Sequence, residues 1–145
     1  MVKNGGESKD SRAVLNFLTA LSVCHTVVCD NEGDVTNYQS SSPDELALVN
    51  GAKSIGFELL GRSTDTVRVR NNIDNVVSEF QTLAEFPFDS DRKRMSMIVK
   101  DQGQYFMFCK GADTVMLPRM IFGAANEEAQ RYVEDTLKMF ASEGL

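Results

Sequence analysis

The sequence is poor in the residues that build most recognisable active sites. Among its 145 residues are no tryptophan, one histidine, three prolines and three cysteines. The lone His25 cannot head a catalytic triad or a metal site unaided, and it reads as a packed or capping residue at a helix end. Cys24, Cys29 and Cys109 are odd in number and lack CxxC spacing, which argues against a disulfide framework and a zinc site and fits reduced thiols in a cytosolic compartment. No stretch approaches the roughly eighteen uninterrupted apolar residues of a membrane helix. The segment Met1 to Glu7 has no apolar run of a signal peptide, so the chain is expected to be soluble. Neither GxxxxGK[ST] nor GxGxxG occurs, and Lys110-Gly111-Ala112 is not a P-loop, so any phosphate must be held by another geometry. Internal repeats and low-complexity segments are missing too.

What is present is one domain's worth of chain, 42% hydrophobic and 25% charged, expected to form a single domain over residues 1–145 with Met1 to Lys9 as a loose leader. A formal charge of −6 repels anions as a whole. That disfavours nucleic acid and requires a local cluster of cations for any phosphate ligand, for which Arg92-Lys93-Arg94 and Lys110 are available.

Val14, Phe17, Leu18, Leu21 and Cys24 recur at helical spacing and predict a helix from about Ser11 to His25, with Asp10 or Ser11 as cap. Asn31-Glu32-Gly33-Asp34 reads as a turn and Tyr38 to Ser42 as a polar connector. Ser42-Pro43-Asp44-Glu45 combines a capping serine, proline at the first helical position and glutamate at the third, a capping box that opens a helix to about Gly56. From Phe57 the period becomes two. Phe57 to Leu60 and Thr66 to Arg70 form a hairpin around Gly61 to Asp65. Phe80, Ala84, Phe86 and Phe88 occupy one strand, Met95, Met97 and Val99 a second, and Phe106 and Phe108 a third, the last two joined by a tight turn at Asp101-Gln102-Gly103-Gln104. Asn126 caps a final helix with a buried stripe of Ala129, Val133, Leu137 and Phe140, and Gly144 ends it. Strands in series with separate helices indicate an α+β fold, a twisted antiparallel sheet flanked by helices.

Three patterns, in this order and separation, carry a resemblance. They are Cys24-His25-Thr26-Val27; Ser41-Ser42-Pro43-Asp44-Glu45-Leu46-Ala47-Leu48-Val49; and Phe88-Asp89-Ser90-Asp91-Arg92-Lys93-Arg94-Met95-Ser96 followed by Lys110-Gly111-Ala112-Asp113. Together they resemble the nucleotide-binding domain of P-type ATPases, most like the phospholipid-transporting flippase branch, over nearly the whole chain. The resemblance implies an ATP-binding module that presents nucleotide for phosphorylation of an aspartate in another domain. That aspartate's Asp-Lys-Thr-Gly-Thr motif does not occur here, so the chain has no catalytic residue of its own and is expected not to hydrolyse ATP alone. It also implies a cytosolic position in an integral membrane protein, with phosphorylation and actuator domains as neighbours, phospholipid as the parent's cargo and room for an accessory subunit. Magnesium belongs to the parent and not to this chain. An arginine of the family pattern would follow beyond Leu145.

The resemblance places adenine on Phe88, five residues before Lys93, and has Glu45 accept a hydrogen bond from the adenine amino group. The alternative for Phe88 is a core residue of an alternating strand, as Phe80 and Phe86 are expected to be, but its spacing to Arg92-Lys93 favours the site. Glu45 could be explained by its capping role alone. Ser90 follows Phe88 by two and is placed on the same face, where its hydroxyl reaches base or ribose. Lys110 ends a strand before Gly111, whose missing side chain lets backbone approach a ligand. Alternation groups Lys93 with Met95, and both join the expected site. Pro118 falls inside a segment, Asp113 to Ile121, that the family pattern makes helical, so that helix is expected to be short or kinked. The alternative to nucleotide binding is a regulatory or scaffolding domain that keeps the fold.

Overall fold

The computed structural model describes residues 9–32, 35–120 and 127–144. Outside them lie the leader up to residue 8, Gly33 and Asp34 of the expected turn, Ile121, and the expected cap Asn126. The chain divides into two compact units, one ending at Ala112 and one beginning at Asp113.

The first unit holds α1 (Lys9–Val23), a hairpin of β1 (Val28–Glu32) and β2 (Val35–Gln39), α2 (Pro43–Ser54), and then five strands: β3 (Phe57–Arg62), β4 (Thr66–Asn71), β5 (Val76–Asp89), β6 (Arg94–Asp101) and β7 (Gln104–Gly111). The five form one antiparallel meander in chain order, as expected of α+β. Both helices pack on one face of it, α1 against β3, β4 and β7 and α2 against β3. Between the layers lie Leu18, Val23, Val49, Leu59, Val67, Val69, Phe80, Met95, Met97 and Val99, all buried. The β6–β7 turn puts Gln102 and Gly103 at positive φ (47° and 82°), the geometry that matches strand twist in a two-residue hairpin.

Several expectations are corrected. α1 runs from Lys9 to Val23, and its buried side is Leu18, Ser22 and Val23, with Cys24 buried just beyond its end, while Val14 and Phe17 are exposed. The helix is thus turned by about one residue, because Leu15, Leu18 and Ser22 make an equally spaced stripe and the sheet below selects it. The polar stretch up to Gln39 is strand, paired through Val28↔Gln39 and Cys29↔Tyr38. Tyr38 donates to the Leu59 carbonyl at 2.9 Å, an anchor that no hydrophobic period announces.

Strand β5 corrects the expected row of phenylalanines. Its pairing with β6 slips between Thr82 and Ala84, where Leu83 is one residue too many, and again between Phe86 and Asp89. One extra residue sends everything after it to the other face. Phe80 before the first slip is core; Glu85 after it pairs with buried Met97, and Phe86 pairs with Ser96 on the opposite face. Phe86 is 43% exposed, its ring 5.7 Å from the Arg92 guanidinium, and is therefore not a core residue. The second slip separates Phe88 from Phe86 and returns it to the side of Met95.

The second unit contains the four-residue α3 (Asp113–Met116), a 3-10 turn (Leu117–Arg119) and α4 (Glu127–Ser142). Pro118 stands in the 3-10 turn, so the helix after Lys110 is short, as its proline requires. The stripe expected to be buried on α4 is not: Ala129 and Phe140 are exposed and Val133 and Leu137 only half-buried. Among the described residues of this unit, only one helical turn and a 3-10 turn accompany α4, too little surface to bury its stripe. Gly144, at φ 84°, closes the helix by donating to Ala141 at 3.2 Å. No described helix is long and apolar enough to cross a membrane.

Candidate functional site

The slips in β5 and the start of α2 open a cleft of about 610 Å³ within the first unit. Phe88 forms one wall and is 64% exposed, an aromatic face left to solvent by its own strand. Met95, 1% exposed, is the floor. Glu45 and Leu48 of α2 stand opposite, Lys110 and Gly111 at the end of β7 close one side, and Thr26 lies beside Glu45. A volume of this size, apolar with a few converging polar groups, suits a small organic ligand.

Glu45 is the most constrained polar group of the cleft. Its Oε1 accepts from Lys110 Nζ at 2.8 Å, and its Oε2 accepts both the backbone N–H and the hydroxyl of Thr26, at 2.9 and 2.6 Å. Burial alone would raise its pKa, but the Lys110 ammonium and the two Thr26 donors outweigh burial and hold the carboxyl below its usual range. The capping box expected from the sequence is only half made. Ser42 Oγ accepts from the Glu45 N–H at 3.3 Å, but the Ser42 N–H is taken by Ser40 Oγ at 3.1 Å instead of by the Glu45 side chain. Capping therefore explains where α2 starts and not where the Glu45 carboxylate points. With about four acceptor positions on a carboxylate, two used on Oε2 and one on Oε1, a single position on Oε1 is left for a donor in the cleft.

Five of the residues singled out from sequence thus line one cleft: Glu45, Phe88, Met95, Lys110 and Gly111. Ser90 and Lys93 do not line it. β5 ends at Asp89, so strand alternation no longer governs Ser90, and Lys93 lies at φ 51° in the turn before β6, exposed where Met95 is buried. That turn is tied by Asp89, whose carboxylate accepts from Asp91 N–H at 2.7 Å, and it borders the cleft where Ala112 N–H donates to the Lys93 carbonyl at 3.1 Å. Gly111 is used against protein: a Cβ there would lie 2.6 Å from the Lys93 carbonyl oxygen and from Arg94 Cβ. Thr26 was missed as a site residue. Its only signal was membership of the Cys24-His25-Thr26-Val27 pattern, since a threonine after a helix has many ordinary uses. Among the described residues, no group of three or more His, Cys, Asp or Glu could hold a metal ion.

The family described as P-type ATPase, cytoplasmic domain N, matches residues 13–144. The chain is 40% identical over 147 residues to phospholipid-transporting ATPase DRS2 of Saccharomyces cerevisiae, covering 98% of this chain and 10% of that protein. It is 42% identical over 135 residues to phospholipid-transporting ATPase IC of Mus musculus, covering 91% and 10%. To phospholipid-transporting ATPase tat-1 of Caenorhabditis elegans it is 43% identical over 139 residues, covering 92% and 12%. The chain thus spans about a tenth of the length of these relatives. With a match that runs through both units and nearly every residue, this chain belongs to the cytoplasmic N domains of the P-type ATPases.

Proposed function

We propose that residues 1–145 act as one nucleotide-binding domain, which holds ATP by its base and near phosphates and presents it to an aspartate of another domain in a phospholipid-transporting P-type ATPase. The observation that carries the reading is the pairing, across one cleft, of an exposed aromatic face, Phe88, with a buried ionised acceptor, Glu45. An adenine stacked on Phe88 gains roughly 0.5–1.5 kcal/mol beyond its buried area. Its amino group meets the remaining position on Glu45 Oε1, and Lys110 lies along the base or reaches the first phosphate. The phosphates then leave the cleft past Ala112 towards the turn that carries exposed Lys93 and Ser90.

In this reading the domain contributes proximity and orientation, not an acid or base. The parent supplies the aspartate, the magnesium site, the neighbouring phosphorylation and actuator domains, any accessory subunit and the lipid path, and the domain is its cytosolic part. A cleft with one lining cation, Lys110, beside Asp44 and Glu45 favours the base over the polyphosphate. Affinity is then weak, on the order of 0.1–10 mM, with ATP, ADP and AMP differing modestly.

Titration of the chain with ATP, followed by amide chemical shifts, tests this. Shifts should cluster on Thr26, Glu45, Phe88 and Lys110, persist with EDTA, and weaken severalfold in Phe88→Ala and Lys110→Ala. Absence of any shift at millimolar ATP would leave the regulatory or scaffolding alternative. Phosphate release above a no-protein control, abolished by a substitution in this chain, would overturn the division of labour.

A further inference from the structure

The turn after α1 is built more heavily than a helix end needs. His25 is fully buried, its Nε2 is 2.9 Å from the Ser22 carbonyl and its Nδ1 is 3.1 Å from the Val27 N–H. A backbone N–H can only donate, so Nδ1 accepts and Nε2 carries the proton, which makes the ring neutral with both nitrogens used. Arg62 of β3 donates to the His25 carbonyl and at its other end pairs with Glu85 of β5. The turn is thus fastened to α1, to itself and to the sheet, by groups that do not line the cleft.

What this leaves in place is Thr26. It is exposed and could give its N–H and hydroxyl to water. Instead both donate to one oxygen of a carboxylate nineteen residues away. A carboxylate on a long side chain turns easily about its last torsion, which is broad and twofold. Two donors on Oε2 stop that rotation and leave Oε1 as the oxygen that meets Lys110 and the cleft.

We infer that Thr26 is a positioning residue of the nucleotide site, acting through Glu45: its paired donors fix the carboxylate so that Oε1 presents one acceptor to an exocyclic amino group and holds the Lys110 ammonium in register. The inference rests on the nucleotide reading of the cleft. It adds that selection for a 6-amino purine depends on a residue outside the Phe88, Glu45 and Lys110 set. With the hydroxyl removed, Oε2 keeps only the backbone N–H of Thr26, and the plane of the carboxylate can tilt out of the orientation that serves both Lys110 and the cleft.

The test is a double-mutant cycle read by ATP Kd, with purine riboside triphosphate, which lacks the 6-amino group, as second probe. Thr26→Val keeps the side chain's shape and loses its donor. It should raise the Kd for ATP roughly three- to tenfold, the scale of one ordinary net hydrogen bond, because Thr26 acts on the base only through Glu45, and narrow the preference for ATP over the deamino analogue. Thr26→Ser should restore both. In the Glu45→Ala background Thr26→Val should change nothing, because the group it acts through is gone. Thr26→Ala, with the same exposed backbone and no hydroxyl, serves if valine is not tolerated, and thermal melting reports folding for each.

Parental Kd and selectivity in Thr26→Val overturn the inference, as do losses in Thr26→Val and Glu45→Ala that simply multiply. If Glu45→Ala binds ATP like the parent while Phe88→Ala does not, the site survives and this inference fails. If the parent gives no binding, the nucleotide reading fails and takes this inference with it.

Discussion

The three phenylalanines of β5 separate packing from binding at single residues. Phe80 is core, and Phe80→Ala should cost roughly 3–5 kcal/mol. Phe88→Ala should cost far less, since 64% of that residue is already exposed. Phe86→Ala belongs with Phe88 and not with Phe80, because its ring lies outside the core against Arg92. Urea unfolding of the three ranks them, and a Phe88→Ala loss as large as that of Phe80→Ala would contradict an open aromatic face. His25 sets a second residue-scale prediction. Burial, with Arg62 and Lys110 nearby, lowers its pKa from 6.5 to about 4. The unfolded chain therefore takes up a proton between those values while the folded chain does not. The stability that neutral His25 contributes is complete above about pH 6.5 and is lost as pH falls towards 4, on the order of 3 kcal/mol in all. His25→Gln should flatten the stability slope between pH 7.5 and 4.5. Glu45, whose folded pKa is also depressed, loses its contribution in the same direction but only below its unfolded value of 4.5.

At the scale of elements, the end of β7 depends on the start of β6. Gly111→Ala would set a Cβ against the Lys93 carbonyl and the Arg94 backbone, neither of which is a flexible side-chain tip. β7 must then move away where Lys110 meets Glu45. Loss of stability by about 1–3 kcal/mol together with loss of ATP binding is expected, and an unaltered melt would show that the strands part freely. This scale also shows what a sequence discloses. The start of α2 was legible because Ser42, Pro43 and Glu45 act through local backbone geometry, and β6 because Met95, Met97 and Val99 keep a strict period of two. The first face of α1 was not, because two stripes one residue apart are equally helical and only the sheet chooses between them. Nor were the slips in β5: an extra residue such as Leu83 leaves no mark in composition, yet it reverses the facing of Glu85 and Phe86. Glu45, Phe88 and Lys110, named from the family pattern, line one cleft together with Met95, whereas Ser90 and Lys93 lie in the turn outside its lining, where strand alternation no longer applies.

At the scale of the whole molecule, charge and colour matter more than contacts. A net charge of −6 keeps polyphosphate at a distance, so removal of magnesium with EDTA should weaken ATP binding by added repulsion without abolishing it. AMP, with less charge, should be the least affected by the chelator, which parallel titrations would check. The fold and the family could be read over nearly the whole length because the motifs are local. The β1–β2 hairpin escaped because it is held by distant partners such as Leu59, which Tyr38 reaches across the unit. One property of the cleft has an optical meaning. The chain has no tryptophan, and none of Tyr38, Tyr105 and Tyr132 lines the cleft, so its emission is tyrosine light from elsewhere and nearly blind to what enters. A tryptophan at Phe88 would be the sole long-wavelength emitter, wet when the cleft is empty and covered when a purine stacks on it. Phe88→Trp should bind ATP at least as well as the parent and dim as nucleotide is added, turning the exposed wall of the cleft into its own gauge.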